Sequence, residues 1–338
     1  MKNFAGTLLT ETVGSVVLKG NPLGDPRLRE IPVYLPPSYK EDLERRYPVV
    51  YFLQGFTGLA KWSALSHPWR ENPVERFDRL IQEGKAPEAV LVLPDGFTRY
   101  GGGQYINSEG TGRYEDHVVA ELVPYIDGRF RTSAKPAGRA VLGKSSGGYA
   151  SLVLAMRHPD VFGHCVSHSG DTLFEVSYGA DFPKCVNALA PYGGDFKKFL
   201  EAFAAARDKE SLDHSLINMA GMASAYSPNP KSELGFDLPF DTRTGEVVGP
   251  VFARWLEHDP VKLAAKHVKA LKSLKTLYFD CGVKDEFYLH LGARALSREL
   301  KRLKVPHVHE EHGGGHFGIG DRYDVGFARL KAGFAKAA

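Results

Sequence analysis

The sequence is sparing with cysteine. It has three in 338 residues, Cys165, Cys185 and Cys281, odd in number and far apart. That pattern argues against a disulfide framework and fits buried thiols in a reducing compartment, so a cytoplasmic protein is expected. There is little excess of charge of either sign. The net charge is +3 and no basic run or basic amphipathic helix occurs, so neither nucleic acid nor an anionic membrane surface is an expected partner. No apolar run reaches the ~18 residues needed to span a bilayer. Residues 1–10 lack a charged start, a long apolar stretch and a small-residue cleavage site in succession, so no secretory leader is expected. Internal repeats and low-complexity tracts are also missing from the sequence.

What is present is an ordinary globular composition, 43% hydrophobic and 25% charged, in a chain long enough for one large core. Thr7–Val13, Ser15–Leu18 and Glu30–Leu35 read as strands that open a sheet in antiparallel fashion. Pro32 marks the last of these as an edge or a strand start. From Val49 the pattern changes. Val49–Leu53 and Ala89–Leu93 are continuous apolar runs, as expected of parallel strands buried on both faces. They alternate with helical patterns at Glu71–Glu83 and Tyr114–Phe130, the latter interrupted or bent at Pro124. A strand before Ser145, a helix after it and a strand over Gly163–Ser169 continue the rhythm.

Residues 171–257 break that rhythm, with helices expected over Phe196–Arg207 and Leu212–Ala225 and irregular chain over Ser227–Pro250. A helix starting at Asp259-Pro260, a strand over Thr276–Cys281, a helix over Phe287–Leu303, a strand over Val305–Glu311 and a helix over Arg322–Ala335 complete the chain. The expected fold is α/β: a mainly parallel sheet with helices on both faces and antiparallel N-terminal strands. Residues 1–338 form a single domain in this reading. Residues 171–257 are inserted as a cap over the C-terminal edge of the sheet, where ligands of such sheets bind.

The chemistry centres on Gly143-Lys144-Ser145-Ser146-Gly147-Gly148, which follows the apolar run Ala140–Leu142 and precedes a helical stretch. Strand, sharp turn, helix is the setting in which G-x-S-x-G presents a nucleophilic serine. The turn is tight, so the residues two before and two after the serine must be tiny. Gly143 and Gly147 satisfy this for Ser145, whereas Ser146 would have Lys144 two residues before it. By itself the motif also fits a chance match in a glycine-rich chain.

A serine hydroxyl needs a base, and the base an orienting acid, in the chain order Ser, Asp or Glu, His. Asp285 follows the late strand ending at Cys281 and is the candidate acid. Asp280 inside that strand, Glu286 and Asp171 are rivals, and helix capping is the alternative role for Asp285. His316, in the loop Gly313–Gly318, is the candidate base, since an imidazole with an ordinary pKa of ~6.5 exchanges protons near neutral pH. His307, His309 and His312 compete with it. With Glu310 and Glu311 they could also suggest a metal site, but strand alternation puts His309 and His312 on opposite faces, so no metal is assigned. His158 and His168 read as structural.

The oxyanion requires two backbone N–H donors. Ser146 supplies one, and the loop Gln54-Gly55-Phe56-Thr57-Gly58 supplies the other from Phe56. Gly55, Trp62, Tyr100, Tyr105 and Asn107 are candidates to line the substrate pocket.

Taken together, these motifs resemble the putative-esterase (esterase D-like) family of α/β-hydrolases, which includes S-formylglutathione hydrolases, feruloyl esterases, enterochelin-type esterases and mycolyltransferases. The resemblance covers nearly the whole chain. It rests on Val33–Tyr39, Leu53–Gly58, Gly143–Tyr149, Gly282–Asp285 and Gly315-His316. It implies an α/β-hydrolase fold with the nucleophile at Ser145, the acid at Asp285 and the base at His316. Two departures stand out. Gln54-Gly55 replaces a frequent His-Gly, and Thr57–Ser66 lacks the cysteine usual in S-formylglutathione hydrolases, which points away from a glutathione thioester. The expected activity is that of a serine carboxylesterase acting on a small-molecule ester with no cofactor. The alternatives are an acyltransferase or thioesterase using the same triad, and a non-catalytic binding module. Self-association into a homo-oligomer is left open.

Overall fold

In the computed structural model, which describes residues 4–337, eight strands form one sheet in the order β1-β2-β4-β3-β5-β6-β7-β8. They are β1 (Thr7–Gly14), β2 (Leu28–Leu35), β3 (Val49–Leu53), β4 (Val90–Val92), β5 (Arg139–Lys144), β6 (His164–His168), β7 (Thr276–Gly282) and β8 (Val308–His312). β1 pairs antiparallel with β2, and β2 antiparallel with β4; every later pairing is parallel. This is the α/β-hydrolase architecture anticipated from the alternating pattern.

Period-two alternation sorts the apolar residues of β3 into two cores, one on each face of the sheet. Val49, Tyr51 and Leu53 join Val141 and the helix α2 (Ser146–Arg157) on one face. Val50 and Phe52 join Leu142 and the helices α1 (Pro73–Gln82) and α7 (Arg322–Ala337) on the other. Phe77 of α1 and Phe327 of α7 bring their ring centroids within 4.6 Å. A capping box at Asn72 fixes the start of α1: its side chain accepts from the N–H groups of Val74 and Glu75, and Glu75 accepts from the Asn72 N–H.

Two readings of the N-terminal region are corrected. Ser15–Leu18 is a turn and not a strand, because Glu121 takes its donors: Oε1 accepts from the N–H groups of Val16 and Val17, and Oε2 from Ser15 Oγ. Pro32 lies inside β2, which pairs with β1 along its length and with β4 only at Val33 and Tyr34, so β2 is not an edge strand and Pro32 is not at its start. Its carbonyl accepts from the Leu93 N–H. In an antiparallel strand the N–H and C=O of a residue face the same neighbour, so the missing donor falls where β4 has already ended. The Tyr114–Arg129 stretch is helical throughout. It is widened to a π-helix over His117–Leu122, just before Pro124, whose absent N–H removes one helical bond.

Residues 171–257 carry α3 (Phe196–Ala205), α4 (His214–Tyr226) and α5 (Gly249–Leu256). Two shorter helices, Phe174–Ser177 and Phe182–Ala188, are not apparent from the sequence pattern, and α5 extends past the stretch read as irregular. Phe174, Phe182, Phe199, Met222 and Trp255 are buried in the same apolar cluster as the α2 face of the sheet. Further on come α6 (Leu289–Arg302) and the closing α7. Among the described residues no helix is long and apolar enough to cross a membrane.

Candidate active site

Around β3 the strand order reverses: β4 lies on one side and β5 on the other, so the loops leaving β3 and β5 part and open a crevice at the C-terminal ends of the strands. Ser145 stands at the end of β5 with φ +58° and ψ −128°. Such a backbone costs a non-glycine residue ~1–3 kcal/mol and persists only where its surroundings enforce it. Here they do. The Ser145 N–H donates to the His168 carbonyl (2.9 Å), and its carbonyl accepts from the Tyr149 N–H (2.8 Å). The flanking glycines are required for space. A Cβ on Gly143 would lie 2.4 Å from the Gly147 carbonyl oxygen, and one on Gly147 would lie 2.1 Å from the Leu53 carbonyl oxygen.

His316 and Asp285 come together behind the cleft. His316 Nδ1 lies 2.9 Å from Asp285 Oδ2, and both residues are buried. Asp285 sits in the turn after β7, and its Oδ1 accepts from the N–H groups of Phe287 (3.0 Å) and Leu289 (3.3 Å). The capping role and the pairing with His316 therefore use different oxygens of one carboxylate. Burial alone would raise its pKa. The hydrogen bond and charge of His316, with the two amides, outweigh burial and hold it below the ordinary value. Glu286 accepts from the His316 N–H (2.6 Å) and so anchors the loop, while Phe287 meets the imidazole edge-on at 4.8 Å.

The other candidate acids and bases are engaged elsewhere. Asp280 pairs with His168 and Arg322, and His158 with Glu115. His307 and His309 stack on Phe279. His312 Nδ1 accepts from the Gly314 N–H.

Ser145, Ser146, Gly55, Phe56 and His316 line one cleft of about 260 Å³. Ser146 opens α2, so its N–H has no intrahelical partner. In the loop after β3, the Gln54 N–H donates to Tyr105 Oη (2.9 Å), and those of Thr57 and Gly58 to the carbonyls of Gly101 and Gly55. The Phe56 N–H makes no hydrogen bond among the described residues. Gly55 keeps the two loops close; a Cβ there would lie 3.4 Å from Ser145 Cβ.

Trp62, Tyr100, Tyr105 and Asn107 do not line this cleft. Trp62 is 57% exposed at the start of a 3-10 turn. Tyr100 packs on Phe203 and Phe236. Tyr105 is buried beneath the loop after β3, and Asn107 accepts from the Asp116 N–H at the surface.

The sequence pattern does not mark the cleft wall formed by Ser177, Tyr178, Asp181, His214 and Asn218, all within residues 171–257. No motif marks them. Phe287 and Phe317, also in the lining, adjoin Asp285 and His316 in sequence and could have been found from that adjacency.

The family described as "Putative esterase" matches residues 26–316. The chain belongs to that esterase family. Among curated relatives, this esterase-family chain is 32% identical over 156 residues to an endo-1,4-beta-xylanase/feruloyl esterase of Xylanibacter ruminicola, covering 41% of this chain and 19% of that one. It is 31% identical over 155 residues to an esterase of Mycobacterium tuberculosis, covering 44% and 30%. An uncharacterized protein of Bacillus subtilis is 27% identical over 165 residues, covering 44% and 58%. The matches thus span from 19% to 58% of these relatives' lengths.

Solved structures share the fold. A ferulic acid esterase superposes with a TM-score of 0.64 at 21% identity, over 98% of this chain and 100% of that one. An S-formylglutathione hydrolase from Agrobacterium tumefaciens gives 0.59 at 15% identity, over 100% and 98%.

Proposed function

We propose that this protein is a serine carboxylesterase whose nucleophile is Ser145, with His316 as base and Asp285 as the acid that orients it. The observation that carries the reading is the strained backbone of Ser145 in the same cleft as a buried imidazole already paired with a carboxylate. Family membership supports the ester-hydrolase class.

In this reading His316 Nε2 takes the Ser145 proton as Oγ attacks the ester carbonyl. Asp285 holds the proton on Nδ1, which leaves Nε2 free to accept, and it stabilises the imidazolium that forms. The carbonyl oxygen becomes an oxyanion facing the N–H groups of Phe56 and Ser146. Each such donor is worth ~3 kcal/mol in the transition state. The imidazolium returns its proton to the leaving alkoxide, giving an alcohol and an acyl-Ser145. Water, deprotonated by His316, then releases the acid. These steps balance without a cofactor. Residues 171–257 act as a cap, since Tyr178, His214 and Asn218 contribute to the cleft wall.

The test is hydrolysis of p-nitrophenyl butyrate together with labelling by a fluorophosphonate. Turnover and stoichiometric labelling are expected for the native chain, and both should vanish in Ser145→Ala while the fold remains. An unlabelled native protein would refute the assignment.

A further inference from the structure

Among the polar groups on the cleft wall, the Asp171 carboxylate is not accounted for by the proposed acyl chemistry. Asp171 follows β6, and the chain there runs hard against the start of α2. A Cβ on Gly170 would lie 2.9 Å from the Gly148 carbonyl carbon, which only glycines at both positions allow. That approach brings Asp171 beside Ser146. Asp171 is 7% exposed and lines the cleft.

Its hydrogen bonds are one-sided. Ser146 Oγ (3.3 Å) and Tyr178 Oη (3.0 Å) both donate to Oδ2. Ser146 Oγ in turn accepts from Gln104 Nε2 (3.1 Å), which fixes the direction of its own proton. Oδ1 accepts no hydrogen bond among the described residues. Oδ1 keeps contact with the open cleft, so a donor that displaces solvent there can bind to it. A hydrogen bond to an ionised carboxylate is among the stronger kinds, so a substrate that brings such a donor gains from it.

We propose that Asp171 is a substrate-recognition residue whose Oδ1 accepts a hydrogen bond from a hydroxyl group of the ester, making hydroxylated esters the preferred substrates. The inference rests on the esterase reading above and names the substrate class for that site.

The surroundings select a neutral hydroxyl over an ammonium. Asn218 and His214, on α4 and in the same wall, offer a side-chain amide and an imidazole that make no hydrogen bonds among the described residues. Burial holds the Lys144 pKa below its ordinary value, but Lys144 lines the cleft without a carboxylate in ion-pair range among the described residues and sets a cationic group against an incoming ammonium, while the wall's other carboxylate, Asp181, is already paired with Lys184. Burial pushes the Asp171 carboxyl up to about 6, against the hydrogen bond of Tyr178, the charge of His316 and the hydrogen bond of Ser146. At neutral pH it is still ionised and a strong acceptor.

The experiment compares two matched pairs of esters, glyceryl against propyl butyrate and p-nitrophenyl 3-hydroxybutyrate against butyrate, in the native chain, Asp171→Ala and Asp171→Asn. For at least one pair the native kcat/KM should favour the hydroxylated member by about tenfold or more. Both variants should collapse that ratio. A purely structural role through Ser146 would lower both members of a pair together and leave the ratio unchanged. Asp171→Asn keeps the shape of the side chain and serves if Asp171→Ala fails to fold. No preference in the native chain, or a preference that survives both substitutions, overturns the inference. A native chain that takes no fluorophosphonate label and hydrolyses none of the four esters would instead refute the esterase reading, and this inference with it.

Discussion

His316 Nδ1 and Asp285 Oδ2 lie 2.9 Å apart, with each residue 3% exposed, so the imidazole is held at the nitrogen that faces away from the proposed chemistry. Asp285→Asn is expected to reduce kcat by about 10⁴ with little change in thermal stability, because an amide can donate to Nδ1 and so favour the wrong tautomer. The pH profile sharpens the test. The pairing with His316 and the amides of Phe287 and Leu289 outweigh burial and hold the Asp285 carboxyl below its ordinary value. Asp285 therefore stays ionised to a lower pH than an ordinary carboxyl does. Measured in Asp171→Asn, which removes the cleft carboxyl that titrates at about 6, the acid limb of kcat/KM should follow a single protonation. A two-proton slope, or a flat profile from pH 5 to 8, would contradict the assigned roles.

Gly147→Ala tests the tight turn around Ser145. The added Cβ would stand 2.1 Å from the Leu53 carbonyl oxygen and 2.9 Å from that of Gln54, both backbone atoms that no rotamer change can move. Overpacking in a core typically costs ~1–3 kcal/mol, and a backbone clash belongs at or above the upper end. Because Gln54 adjoins Gly55 and Phe56, the relief movement should displace the proposed oxyanion donor. Activity should fall by more than the loss of folded protein explains. Kinetics normalised to active sites titrated with a fluorophosphonate would separate the two effects. An Ala variant with native kcat would show that the turn is not constrained in this way.

The parts of this site that could be read in the sequence are those fixed by local sterics or by chain order. Gly143 and Gly147 announce a tight turn by spacing alone, and Val49–Leu53 announces a strand buried on both faces. Asp285 and His316 could be singled out because each follows a late strand in the required order. What was hidden depends on partners distant in sequence. Ser15–Leu18 has the composition of a strand, but Glu121 captures its amides, and that carboxylate is 105 residues from Val16. Pro32 reads as an edge signal until β4 is seen to end opposite it. Tyr178, His214 and Asn218 reach the cleft from stretches far from Ser145 in sequence, and no periodicity encodes that meeting. Trp62 and Asn107 lie close in sequence to the relevant loops, but their side chains point to the surface.

Tyr105 illustrates the same lesson and gives a third prediction. Its hydroxyl accepts from the Gln54 N–H (2.9 Å) and donates to the Pro94 carbonyl (3.3 Å), tying down the loop that presents Phe56. Tyr105→Phe leaves a buried N–H without an acceptor, at a cost of ~1–3 kcal/mol. If Tyr105 positions the loop without touching substrate, kcat should fall while KM stays near the native value for short acyl esters. A rise in KM with unchanged kcat would return Tyr105 to the substrate pocket.

The buried carboxyl of Asp171 should leave a signature in stability as well as in specificity. Burial raises its pKa from 3.8 in the unfolded chain to about 6 in the folded one, despite the opposing hydrogen bonds and the charge of His316. Below the unfolded value both states are protonated and the group is neutral in the balance. As the pH climbs past it the unfolded chain ionises first, and folding loses free energy until the folded carboxyl ionises too. The penalty is complete above the folded value. A tenfold difference in proton affinity between the two states corresponds to ~1.4 kcal/mol, so the loss is on the order of 3 kcal/mol between pH 4 and 7. Asp171→Asn cannot ionise and escapes it. Urea unfolding should show the variant gaining on the native chain as pH rises from 4 to 7, with the gap constant above that. A gap that is independent of pH, or that narrows on the alkaline side, would mean that Asp171 is solvated in the cleft and carries no desolvation cost.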